Sequence, residues 1–296
     1  MQDHPSGQTS SIKFGMPLIP ATSTMTTAWD IPRNPLTDSI PGDPHLAEQI
    51  RWGFKLFTNT HNEAAQITGN KMSCSNCHLN AGQRDKALPL VGVAGMFPEY
   101  NKRAGRLFSL EDRIVGCFMR SQNSAGNQKA LGDAIPSPSS KEVIAISAYI
   151  AWLSRGYPAG VEVPWRGHNV IPAKRLLPFE KLNPALGEKL FMEKCSSCHG
   201  EDGQGVAIGD KIAGPLWGPD SWNDGAGAGR IYTLAGMIRY MMPYLDPGSL
   251  TDEEAQHISA FINSKQRPIY PFKKDDYHAG NVPPDAVYYN ESKEKK

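Results

Sequence analysis

Two stretches of the chain carry an apolar stripe at helical spacing. In SSKEVIAISAYIAWLSRGYP (139–158), Val143, Ile146, Tyr149, Ile150 and Leu153 share one face, behind a serine cap with Glu142 three residues on. In LTDEEAQHISAFINSKQRP (250–268), Thr251 is the predicted cap and Glu254 completes a capping box. Ala255, Ile258, Phe261 and Ile262 form the stripe. Pro158 and Pro268 stop the two helices. Both segments read Ile-Ser-Ala-aromatic-Ile, and the likeness extends upstream. WGFKLF (52–57) and LGEKLF (186–191) share Gly-x-Lys-Leu-Phe, and LPLVG (88–92) and GPLWG (214–218) share Pro-Leu-x-Gly. Between these pairs stand CSNCH (74–78) and CSSCH (195–199), which start 121 residues apart. Four features in one order, twice, predict a duplicated domain.

The remaining segments predict connections. Residues 156–184 hold five prolines and little periodicity, and read as a surface linker. The first 40 residues, rich in Pro, Ser and Thr, predict an irregular wrap, and the polar tail from about residue 271 predicts partial disorder. Strand signals are scarce. The expected fold is all-α, with tandem domains at 1–165 and 166–296.

Composition narrows the function by exclusion. With 40% hydrophobic residues the 296-residue chain can build ordinary cores. Lysine and arginine number 31 against 30 acidic residues, so no global field points to nucleic acid or an anionic membrane. The longest apolar run, 143–153, is too short to span a bilayer. The N-terminus lacks a charged segment followed by an apolar one, which fits a cytoplasmic protein or a mature exported one.

Paired thiols two residues apart bind zinc, form a redox disulfide or attach haem. Zinc needs two further Cys or His ligands at finger-like spacing, and neither pair is flanked by them. A redox pair sits in a strand–helix–strand pattern, which is missing. The histidine that follows each pair points to haem c. Cys74 and Cys77, then Cys195 and Cys198, form the thioethers, and His78 and His199 bind iron.

In these motifs the chain resembles class I cytochrome c, twice over. The resemblance implies two covalently bound haem c groups and export to the periplasm, where such attachment takes place in bacteria. It also implies that Pro89 and Pro215 present backbone carbonyls to the rings of His78 and His199, fixing their tautomers. No histidine lies between 200 and 256, leaving Met237, Met241 and Met242 as sixth ligands of the second haem. Met237 reads as a core methionine on a helix face. In small c cytochromes the ligand commonly precedes a proline, which favours Met242 over Met241.

Met242 lies 27 residues after Pro215, and Cys117 lies 28 after Pro89. The one cysteine outside the motifs thus occupies the distal slot of the first haem; Met96 and Met119 do not match the spacing. A lone cysteine is usually an inert buried residue. In an oxidising compartment an unpaired thiol is anomalous. Around it, residues 101–122 carry Lys102, Arg103, Arg106, Arg113 and Arg120 against Glu111 and Asp112. Such surroundings lower a thiol pKa and attract anions.

The two haem motifs, CHLNAG, and above all RIVGCFMRSQN (113–123) resemble the dihaem thiosulfate dehydrogenases over most of the chain. That likeness implies His/Cys ligation of the first haem, with Cys117 as ligand and reactive thiol and Arg103, Arg113, Ser121 and Gln122 as substrate-binding residues. It implies oxidative joining of two thiosulfates to tetrathionate, with electrons leaving through the second haem to a c-type cytochrome or similar acceptor. Some members place a lysine before the methionine; here that position is Met241. A dihaem electron carrier without catalysis and a thiosulfate-conjugating cytochrome are the competing readings.

Overall fold

The computed structural model describes residues 18–20, 30–126, 135–208, 211–277 and 280–290. Most of the expected N-terminal wrap therefore lies outside the described residues. Six helices of eleven residues or more carry the fold. In the first half these are α1 (Pro44–Thr58), α2 (Leu110–Arg120) and α3 (Lys141–Leu153). In the second they are α4 (Pro184–Lys194), α5 (Ile231–Met241) and α6 (Asp252–Asn263). Strand structure among the described residues is confined to two short antiparallel hairpins. One pairs β1 (Glu99–Asn101) with β2 (Arg106–Phe108), the other β3 (Ala207–Ile208) with β4 (Lys211–Ile212). No helix among the described residues is long and apolar enough to cross a membrane.

The repeated sequence features are the contacts between helices. α1 crosses α3 at Gly53, where a Cβ would stand 1.9 Å from the carbonyl oxygen of Ala145; α4 crosses α6 at Gly187, 2.0 Å from that of His257. Ala145 and His257 immediately precede the shared Ile-Ser-Ala-aromatic-Ile segments, so the repeated glycine and the repeated stripe face each other. One turn on, Phe57 packs on Tyr149 and Phe191 on Phe261, at 5.6 and 5.5 Å between ring centroids. Each half builds a core around its pair, with Cys74 against the first and Cys195 against the second, and Met72 of the first half completes the second core.

The helix ends agree with expectation in one half and differ in the other. Thr251 and Glu254 form the reciprocal capping box. On α3 the cap is Ser140, without a side-chain bond, and Glu142 is instead buried and accepts from Gln66 Nε2 at 3.1 Å. A tertiary amide outcompetes the local cap. α2 carries a capping box of its own, Ser109 with Asp112.

Two connecting segments differ from expectation. The proline-rich stretch is partly interior: Val163 and Trp165 pack with Val91, and Trp165 Nε1 donates to the Val91 carbonyl at 3.0 Å. Its apolar residues were few and aperiodic, but Val163, Trp165 and Ile171 are buried. The tail is ordered over 271–277 and 280–290 and returns to the first half. There Tyr277 N donates to Arg103 O at 3.0 Å, and Asp276 bridges Arg103 and Arg120 at 2.6 and 2.7 Å.

A backbone approach this close leaves no room for a methyl group. Gly187→Ala should lower the unfolding free energy by about 1–3 kcal/mol or more through overpacking. Denaturant titration of the haem-loaded protein checks this; wild-type stability would show that the helices can part without cost.

Candidate haem and thiol site

A cavity of about 270 Å³ opens in the first half. Phe57, Leu90, Ile114, Phe118, Ile146 and Ile150 give it an apolar wall, and Cys74, Cys77 and His78 line it too. α2 adds polar groups to that lining. Arg113 and Cys117 lie one turn apart on a single helix face, and Ser121 and Gln122 continue it past the helix end. Arg113 Nη1 lies 3.3 Å from Cys117 Sγ. Cys117 is also close enough to Cys74 and Cys77 that its charge raises both their pKa values, adding to the larger effect of burial.

His78 is held for a ligand's role. Its Nδ1 lies 2.6 Å from the carbonyl oxygen of Leu88. Desolvation inside the pocket pulls its pKa down to about 4, with the charge of Arg113 a smaller cause and the hydrogen bond opposing. The neutral ring donates at Nδ1, so Nε2 is the nitrogen that can take a metal. His199 repeats this, with Nδ1 3.3 Å from Gly214 O and a pKa lowered by desolvation. The acceptors therefore belong to the residues before Pro89 and Pro215, one position earlier than expected. In each case the acceptor oxygen belongs to the X–Pro peptide, which has no N–H to donate. Pro89 still lines the cavity, and the Pro215 carbonyl accepts from Ser221 Oγ at 2.9 Å.

The structure gathers Cys117, Arg113, Ser121 and Gln122 at the cavity, and Met96 also lines it. It does not bring in Arg103, which is absent from the lining. The Arg103 guanidinium is bound by Asp276 and the Tyr289 hydroxyl and lies 4.7 Å from the centroid of the Tyr277 ring. Two aromatic faces and a carboxylate from the tail hold that cation away from the pocket. Residues the sequence did not single out enter from the second half: Trp222 and Ala228 line the same cavity, so the site spans both halves. Single residues in a Gly-rich loop carry no pattern that announces this.

Both sites pass the chemical test for haem c. Each has two thiols at the attachment spacing, a histidine with a fixed tautomer, and apolar packing around them.

Residues 62–159 match the family model described as SoxA/TsdA, cytochrome c domain, and residues 184–266 match that of cytochrome c. The thiosulfate dehydrogenase of Stutzerimonas stutzeri is 37% identical over 238 residues, 80% of this chain and 73% of that protein. The thiosulfate dehydrogenase of Allochromatium vinosum is 38% identical, over 77% of this chain and 82% of its own length. The chain belongs to the thiosulfate dehydrogenase family. A solved thiosulfate dehydrogenase, TsdBA from Marichromatium purpuratum in its "as isolated" form, superposes with a TM-score of 0.71 at 34% identity. The match covers 83% of this chain and 53% of that longer one, so this chain spans about half its length. Two cytochrome c domains mean two covalently bound haem c groups, on Cys74/Cys77 and Cys195/Cys198, and a family of oxidoreductases.

Expressed with haem-attachment machinery, the protein should gain the mass of two haems in a form that survives denaturation. Cys195→Ala with Cys198→Ala should leave one, read by intact-protein mass. Two haems retained in that double variant would remove the second motif as an attachment site.

Proposed function

We propose that the protein joins two thiosulfates into tetrathionate at Cys117, in the periplasm, and passes two electrons to a c-type cytochrome or similar acceptor. The observation that carries this reading is the placement of Arg113 3.3 Å from Cys117 Sγ, in the cavity shared with Cys74, Cys77 and His78. The curated relatives named thiosulfate dehydrogenase supply the substrate.

His78 and Cys117 would hold the first haem and His199 and Met242 the second, with the domain boundary near residue 165. Bound there, the haems would supply two one-electron acceptors for the sulfur chemistry. The protein's own part is to bind and align anions. Arg113 offsets the charge of a thiosulfate dianion and turns its sulfane sulfur toward Cys117; Ser121 and Gln122 lie further along the same wall. Cys117 Sγ forms a sulfur–sulfur bond to that atom as two electrons leave the pair of sulfurs. A second thiosulfate then attacks the outer sulfur by thiol–disulfide exchange, tetrathionate departs and the Cys117 thiolate is restored. The balance is two thiosulfate dianions to one tetrathionate dianion and two electrons.

Burial supports Met242 over Met241. Met241 is 2% exposed and clusters with Leu79 and Ala87 of the first half; Met242, at the end of α5, borders that cluster and is only half-buried. Met237 is also half-buried and borders the second core.

Cys117→Ala should keep both haems and lose tetrathionate release by the purified protein with an artificial acceptor. Release only in the presence of a carrier protein would favour the thiosulfate-conjugating reading, and full activity of the variant would return Cys117 to the inert buried class. Arg113→Ala should lower kcat/KM about 10- to 100-fold at low salt, as expected for a lost hydrogen bond to a charged group. Arg103→Ala should act mainly on stability. Equal kcat/KM losses in the two would restore Arg103 to the anion site. Met242→Gly should shift the potential of the second haem alone. The same shift in Met241→Gly or Met237→Gly would move the ligand.

A further inference from the structure

α2 carries the reactive thiol, and its last carbonyls cannot be satisfied within the helix. Ser121 N and Gln122 N close on Cys117 O at 2.7 and 3.1 Å. Asn123 N adds a longer bond to Arg120 O at 3.3 Å, and the remaining donors come from elsewhere. Asn223, in the second half, gives its side-chain Nδ2 to Met119 O at 2.9 Å and its backbone N to Arg120 O at 3.1 Å. The same Nδ2 reaches Asn123 Oδ1 at 3.0 Å, and Asn223 Oδ1 accepts from Gly225 N at 3.1 Å. Asn223 is fully buried, and both ends of its amide are committed. Asn70 Nδ2 then spans the halves, donating to Ser121 O at 2.7 Å and to Ser221 O at 3.1 Å. One turn from Cys117, Arg120 is gripped by Asp276 from the tail at 2.7 Å.

We propose that Asn223 is a positioning residue for Cys117: the second domain caps the helix of the first and thereby sets where the thiol stands in the cavity. The inference rests on the assignment of Cys117 as the sulfur ligand of the first haem. An amide donating to a helix carbonyl at one end and held by a backbone N–H at the other transmits position with little slack. Cys117 lies two residues before Met119, within the turn that Asn223 clamps. Removing the side chain takes the amide donor from Met119 O and from Asn123 Oδ1, so the turn shifts to find water or new donors. A cap from the other domain also ties the thiol to the half that holds the second haem, so a change in domain packing is felt at Cys117.

The test uses the dihaem holoprotein in the oxidised state. The thiolate-type spectrum of the first haem and the potentials of both haems are read for wild type, Asn223→Ala, Asn223→Ser and Ser259→Ala. Ser259→Ala serves as the control: its buried hydroxyl donates to Ile231 O at 2.6 Å, within the second half and away from α2. Asn223→Ala should broaden or split the thiolate signature, raise the first potential, leave the second in place and lower kcat about tenfold or more. Asn223→Ser, which keeps the backbone donor and a hydroxyl, should shift less. Ser259→Ala should lower the melting temperature without moving the first haem. A wild-type signature and potential in Asn223→Ala overturns the inference, as does an equal shift in Ser259→Ala. If wild type itself shows no thiolate ligation, the ligand assignment fails and the inference with it.

Discussion

Helix α2 lines the same pocket as the first thiol pair and its histidine, and the proposed chemistry depends on that meeting. The helix repeat brings Arg113 and Cys117 onto one face, and the cavity wall brings that face to Cys74, Cys77 and His78. A cation one turn before a thiol can donate to the sulfur, and in the proposed reaction it would give an incoming dianion somewhere to rest. Arg113 stays exposed, so solvent screens part of that attraction.

The rest of the molecule holds that helix still. α3 packs beside it and crosses α1 at Gly53, so the first core cannot shift without opening a glycine contact. From the other side come Asn223, Asn70 and the ordered tail, whose Asp276 draws two arginines of the first half onto a single carboxylate. That arrangement divides the basic cluster around Cys117. Arg103 and Arg120 are spent on holding the halves together, and Arg113 is left at the cavity. Duplication followed by divergence accounts for the asymmetry. Both halves keep the glycine crossing and the histidine held by an X–Pro carbonyl, while only the first has a cysteine on the helix that faces the pocket.

Much of this was legible in the sequence because it is repetitive. Gly53 and Gly187, the paired aromatic residues and the two thiol motifs recur in order, and recurrence separates a packing constraint from chance. That Cys117 shares a pocket with His78 was legible for the same reason, from a spacing after Pro89 matched in the second half. What could not be read depends on single partners far along the chain. Arg103 looked available because Asp276, 173 residues away, sits in a polar tail with no periodicity. Glu142 looked like a cap because Gln66 is invisible from its neighbourhood. Trp222 and Asn223 sit in a Gly-rich loop whose position over the first cavity is purely tertiary. The shift from Pro89 to the carbonyl of Leu88 is a matter of one residue, which spacing alone does not resolve.

The central claim is that sulfur is carried on Cys117. Its most direct test is to mix oxidised protein with less than one equivalent of thiosulfate, quench in acid and map the adduct by peptide mass. The account predicts a thiosulfate-derived disulfide on the peptide containing Cys117, which disappears as tetrathionate when more thiosulfate is added. Tetrathionate formed at the full rate with no adduct on Cys117 at any time after mixing would contradict it.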